Sequence, residues 1–90
     1  MTVEINIPPA LQVLTSGTGK IDVTGSTVGE CLKGLVRQYP FLKEKIFTGN
    51  GRLPKGMNIF INGASAYPRP LARPVRDGDK VHIAYIVLGG

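Results

Sequence analysis

Gly89-Gly90 is the pair in this sequence most open to chemistry. It follows a strand-like run ending in Ile86-Val87-Leu88, and the group expected after it is a carboxylate. Glycine has no Cβ, so two of them make a backbone-only tip that can thread a narrow cleft. A carboxylate resists nucleophiles until it is activated, for example as an acyl-adenylate. A terminal glycine then removes side-chain crowding from whatever attacks the carbonyl. At about 7% glycine usage, two terminal glycines arise by chance roughly once in 200 chains. The pair is therefore informative only if the preceding elements are built to present it. Fully extended, Val87-Leu88-Gly89-Gly90 reaches up to about 14 Å beyond the last paired residue. That is enough to place the Gly90 carboxylate in a partner's active site while the domain docks outside.

Other reactive side chains are few. Cys31 is the only thiol and sits between Val28 and Leu32 in a helical apolar stripe. Free cysteine is among the most buried residue types, so core packing outweighs a nucleophilic role. One cysteine also rules out an internal disulfide and a cysteine-based structural zinc site. His82 is the only histidine, with no carboxylate or cysteine identifiable as a partner. Asp77 and Asp79 flank Gly78, which reads as turn chemistry before it reads as a metal site. No paired carboxylates, metal-ligand cluster or nucleophilic triad stands out, so the chain does not read as an enzyme in its own right.

Bulk composition sets outer bounds. Ninety residues, 42% hydrophobic and 19% charged, describe one small globular domain. No apolar run approaches the ~20 residues that span a bilayer, and Thr2-Val3-Glu4-Ile5-Asn6-Ile7 does not read as a signal peptide. A cytoplasmic location without membrane association is expected. The formal charge of +5 is spread along the chain, from Lys20 to Lys80, without a contiguous run or interleaved aromatic residues. Solvated surface charge is the first reading, an acidic protein partner the second, and nucleic acid the last.

Hydrophobic periodicity supplies the elements that position the glycine tip. Val3, Ile5 and Ile7 alternate with polar residues as in a half-buried strand. Pro8-Pro9 ends that strand, Thr15 to Gly19 makes a turn, and Lys20-Ile21-Asp22-Val23 returns antiparallel. Thr27 and Glu30 fit a capping box opening a helix. Its stripe is Val28, Cys31, Leu32, Leu35, Val36 and Tyr39, and Pro40 closes it. Phe41 to Phe47 adds a short turn whose apolar residues cap the core. Thr48 to Gly56 is a glycine-rich loop lacking a phosphate-binding pattern. Met57 to Ile61 is a third strand, Asn62-Gly63 a tight turn, and Ala64 to Tyr67 pairs back briefly. Pro68, Pro70 and Pro74 allow only irregular or edge structure between Tyr67 and Val75, Asp77-Gly78-Asp79 is a turn, and Lys80 to Val87 is the last strand.

One helix across one face of a mixed sheet of four to five strands accounts for every apolar stripe. The expected class is α+β, a ubiquitin-like β-grasp, with a domain over residues 1–86 and an extended tail over 87–90. In the last strand Val81, Ile83, Tyr85 and Val87 should face the helix, leaving His82, Ala84 and Ile86 outside. Phe60 should share that outer face, so Phe60, His82, Ala84 and Ile86 form the candidate partner-contact surface.

With the opening strand, the helix from Val28 to Tyr39, the segment Met57 to Gly63, the turn Arg76 to Val81 and terminal Gly89-Gly90 in this order, the chain resembles the ubiquitin-like sulfur carriers, the group containing ThiS, MoaD and CysO. The resemblance covers essentially the whole length, although many members carry a small residue where Leu88 stands. It implies that Gly90 is adenylated by an E1-like enzyme of the ThiF/MoeB kind, which uses ATP, and that a sulfur donor converts it to a thiocarboxylate. That thiocarboxylate would pass sulfur to an accepting biosynthetic enzyme, including as the small subunit of a MoaD-type synthase. The acceptor pathway could be that of molybdopterin, cysteine or homocysteine, thiamin, or a specialised thio-metabolite. The chain itself would bind no cofactor. Two alternatives are a ubiquitin-like modifier joined through Gly90 to lysines, and an interaction module with incidental terminal glycines.

Overall fold

A computed structural model of the chain describes residues 2–85. Five strands form one mixed sheet in the order β2-β1-β5-β3-β4. They are β1 (Val3–Asn6), β2 (Lys20–Val23), β3 (Met57–Ile61), β4 (Ala64–Ser65) and β5 (Lys80–Tyr85), with helix α1 over Val28–Gln38 and a single turn, α2, over Lys43–Ile46. Strand β1 pairs antiparallel with β2 and parallel with β5, while β3 lies antiparallel to both β5 and β4. The α+β class and the one-helix, five-strand layout follow the sequence pattern.

Alternation along the strands decides the layers. Val3, Ile5, Ile21, Val23, Ile59, Val81 and Ile83 point to one face and are buried. Val28, Cys31, Leu32 and Leu35 of α1 complete that core, with Leu42 and Ile46 closing one end. Truncating a residue such as Leu35 to alanine typically costs about 2–5 kcal/mol, because lost transfer energy adds to an unfilled cavity. Val36 and Tyr39 pack only partly against this core.

The helix start is built by side chain and tertiary contact together. The Thr27 hydroxyl accepts from the Glu30 N–H at 3.2 Å, one half of the expected capping box. The other half is shifted by one residue: the Glu30 carboxylate accepts from the N–H and hydroxyl of Ser26, each at 2.9 Å. Those bonds hold the Glu30 carboxyl below its ordinary pKa. Backbone bonds from Val28 N–H to Arg73 and from Val75 N–H to Ser26 then clamp the helix entrance to the proline-rich segment. Gly29 faces the Leu71 carbonyl so closely that a Cβ there would meet its oxygen at 3.0 Å.

Two departures from the sequence reading concern apolar side chains. Residues Pro9–Thr15 form a 3-10 helix where a proline stop and a turn were expected. Leu11 is buried and Leu14 partly so, which fits the three-residue repeat of that helix. Its Thr15 is buried as well, and its hydroxyl donates to the Thr18 carbonyl at 2.7 Å. Phe41, expected to cap the core, is 78% exposed, because a 3-10 turn at Pro40–Leu42 directs Leu42 inward instead.

Candidate functional site

Strand β5 is the element that leads to the glycine pair, and its start is strongly fixed. Asp77 Oδ1 accepts from the Thr2 N–H at 2.7 Å, and the Gly78 N–H donates to the Thr2 carbonyl at 2.8 Å. Asp79 accepts from the Arg76 N–H at 2.8 Å and from the Asn62 side-chain amide at 3.0 Å. These bonds, the Arg76 one foremost, hold the Asp79 carboxyl below its ordinary pKa. Asn62 also accepts from the Lys80 N–H through Oδ1 at 2.9 Å and donates its own N–H to the Lys80 carbonyl at 2.8 Å. Its φ of 51°, followed by 87° at Gly63, is the double positive φ of a tight hairpin turn. Asn62 thus makes the β3–β4 turn and locks the entry to β5, a role that the turn motif alone did not reveal.

Lys80, Val81 and His82 are flanked by β1 on one side, and Val81 and His82 face β3 residues on the other. From Ile83 onward the registered partner is β3 alone, ending with Tyr85 opposite Met57. Tyr85 keeps the expected side of the sheet without full burial: it is 38% exposed, and its hydroxyl donates to the Lys45 carbonyl of α2 at 3.3 Å. Its polar tip thus reaches backbone at the edge of the core. Partial burial raises its pKa. Ile86, Val87, Leu88, Gly89 and Gly90, and with them the expected division between domain and tail, lie outside the described residues.

On the outer face, the register brings Phe60 and His82 together as direct cross-strand neighbours. A single row crosses all five strands: Lys20, Asn6, His82, Phe60 and Ser65. Ala84 sits one step further along β5, opposite Asn58. Phe60 and Ala84 are half-buried and His82 is exposed. Three of the four candidate contact residues therefore share one surface, as the alternation required. The surface is more mixed than a bare apolar patch, since Asn6 and Asn58 border it. Ile86, the fourth, lies outside the described residues.

The remaining candidates behave as structural residues. Cys31 is fully buried, and burial, followed by the Glu30 charge, pushes its thiol pKa up, away from a reactive thiolate. In the Thr48–Gly56 loop, the Thr48 N–H donates to the Arg52 carbonyl, the Gly51 N–H to the Thr48 carbonyl, and the Arg52 N–H to the Thr48 hydroxyl. Those donors are used within the loop, as in a plain turn. Among the described residues, no group of three His, Cys, Asp or Glu side chains is placed to hold a metal ion, and no helix is long and apolar enough to cross a membrane.

The one-helix mixed sheet with its last strand running centrally toward the glycine pair defines a ubiquitin-like β-grasp protein. Residues 12–90 match the model of the ThiS family, and the chain belongs to that family. Its sequence is 30% identical over 93 residues to the sulfur carrier protein CysO of Mycobacterium tuberculosis, with both chains covered in full. It is 34% identical over 80 residues to the small archaeal modifier protein 1 of Haloferax volcanii, covering 88% of each. In three dimensions it matches a chain in the crystal structure of the Amycolatopsis orientalis BexX/CysO complex, with a TM-score of 0.88, 26% identity, and 98% of this chain and 99% of that one covered. These relatives are carrier and modifier proteins, and this chain belongs with them as a ubiquitin-like carrier-type protein, not as an enzyme.

Proposed function

We propose that the chain is a sulfur carrier whose working group is the carboxylate of Gly90. The observation that carries this reading is similarity extending through the glycine pair: the family match runs to residue 90, and a sulfur carrier matches the full length. An E1-like adenylyltransferase of the ThiF/MoeB kind would join the carboxylate to AMP from ATP, releasing pyrophosphate. A donor's persulfide sulfur then displaces AMP to give an acyl disulfide. A thiol attacking its S–S bond releases the Gly90 thiocarboxylate and leaves a disulfide between that thiol and the donor. The thiocarboxylate sulfur attacks an electrophilic substrate held by an accepting enzyme. Water hydrolyses the resulting thioester, leaving the sulfur on the product and returning the carrier as the carboxylate. That the related CysO forms a complex with BexX supports a protein partner of this kind. Phe60, His82 and Ala84 are the described surface we assign to partner contact, with Ile86 continuing it in sequence. Gly89, Leu88 and Val87 are the residues we assign to threading the partner's cleft.

Similarity to an archaeal modifier protein supports a second reading, in which Gly90 forms isopeptide bonds with lysines of other proteins. Intact mass of the protein from its native host separates the two. The carrier reading expects a mass gain equal to one sulfur replacing one oxygen, raised further by one alkyl group on alkylation and lost on hydrolysis of the terminus. Ladders of conjugates linked through Gly90, without that mass, would establish the modifier instead.

A further inference from the structure

A groove of about 590 Å³ runs between the Arg52–Asn58 segment and the Tyr67–Ala72 segment. Arg52, Lys55 and Arg69 line it, all exposed, and no carboxylate does. Leu53 and Met57 give it an apolar floor, and Tyr67, 75% exposed, stands at its edge. Its position matters as much as its charge. Met57 is the registered partner of Tyr85, and Asn58, also in the lining, is the partner of Ala84. The groove therefore opens at the end of the sheet from which residues 86–90 continue, and it adjoins the outer face that carries Phe60 and His82. Five residues span at most about 17 Å, so a protein acting on Gly90 must come within that distance of the end of β5.

We propose that this groove receives an acidic segment of the protein that activates Gly90: two or three carboxylates flanking an apolar side chain. The inference rests on the carrier reading above. Three cations around an apolar floor, with no anion among them, complement that chemistry, and charge at an interface rim chiefly accelerates encounter and fixes register. Desolvation of the apolar side chain over Leu53 and Met57 would retain the segment once docked. A second groove of about 580 Å³, lined by Lys33, Arg37 and Lys43, carries the same number of cations without a carboxylate. It includes no residue of the sheet, so it supplies a charge-matched comparison.

The test is ATP–pyrophosphate exchange by the host's E1-like adenylyltransferase, with the full-length chain as substrate. The triple variant Arg52→Glu, Lys55→Glu, Arg69→Glu is compared with Lys33→Glu, Arg37→Glu, Lys43→Glu, after equal melting temperatures show that both are folded. The groove variant is expected to raise KM about tenfold or more at low ionic strength with kcat little changed. The comparison variant should keep KM within about twofold of the parent, and the parent's own KM should rise with added salt. Equal KM values for parent and groove variant, or equal rises in both variants, would overturn the inference while leaving the carrier reading intact. Loss of single-stranded oligonucleotide binding by the groove variant, with KM unchanged, would assign the groove to nucleic acid and also overturn it. A parent chain that supports no exchange at all would sink the carrier reading itself.

Discussion

The two ends of β5 are built differently. At its start, Asp77, Asp79 and Asn62 tie the turn to Thr2, Arg76 and Lys80 through bonds of 2.7 to 3.0 Å, and β1 and β3 flank the strand. At its end, the registered pairing falls to β3 alone, and the Tyr85 hydroxyl reaches Lys45 at 3.3 Å. The difference teaches how a small domain can present a backbone tip. Register is set far from the tip, where polar side chains hold it firmly. From Ile83 to Tyr85 the strand has a registered neighbour on one side only. The anchoring bonds lie at one end of the strand, and the proposed chemistry lies in sequence beyond the other.

The largest effect that could break this division comes from deleting Gly90. Adenylation and thiocarboxylate formation are expected to vanish, while the thermal midpoint stays within a degree or two, about the scale of a few tenths of a kcal/mol for a chain of this size. A large fall in the midpoint would mean that the tip does contribute to the fold. Next comes Asn62→Ala at the anchored end. It removes both side-chain bonds and places alanine at positive φ, so chemical denaturation should show a loss of about 1–3 kcal/mol.

Acid titration sharpens the same contrast. Because Asp79 is held below its ordinary pKa, its contribution is full above the ordinary carboxylate range and is lost as pH falls through the lowered folded value. Asp79→Asn should therefore flatten the fall in stability at acid pH, as read by urea unfolding at a series of pH values. An unchanged pH dependence would remove Asp79 from the anchor. The smallest effect is expected for Tyr85→Phe at the open end, about 0.5 kcal/mol, since it deletes one long and partly exposed hydrogen bond. A loss as large as that of Asn62→Ala would erase the distinction between the two ends.

Much of the anchored end was legible in the sequence. Asn62-Gly63 requires two positive φ values and so announced its turn, and the alternation of β3 and β5 put Phe60 and His82 on the outer sides of their strands. What stayed hidden were contacts between segments distant in the chain. That Asn62 bonds Asp79 and Lys80 depends on β3 lying next to β5, which no local pattern states. Glu30 satisfies Ser26 instead of Thr27 because Ser26 is itself held by Val75, again a tertiary fact. The 3-10 helix at Pro9–Thr15 was missed because a three-residue apolar spacing over so short a stretch resembles an irregular connection. Tyr85 is more exposed than its alternation implies, because strict alternation takes no account of where the core ends. The cationic groove was illegible for a related reason: Arg52, Lys55 and Arg69 are scattered in sequence and meet only through folding.

The most direct measurement pairs thermal unfolding with adenylation for a single variant, Gly89→Val. Its side chain should block a cleft that admits only backbone, so ATP–pyrophosphate exchange is expected to be lost while the melting curve matches the parent. A normal adenylation rate in a normally folded Gly89→Val chain would contradict the claim that a bare glycine tip is the working part of this protein.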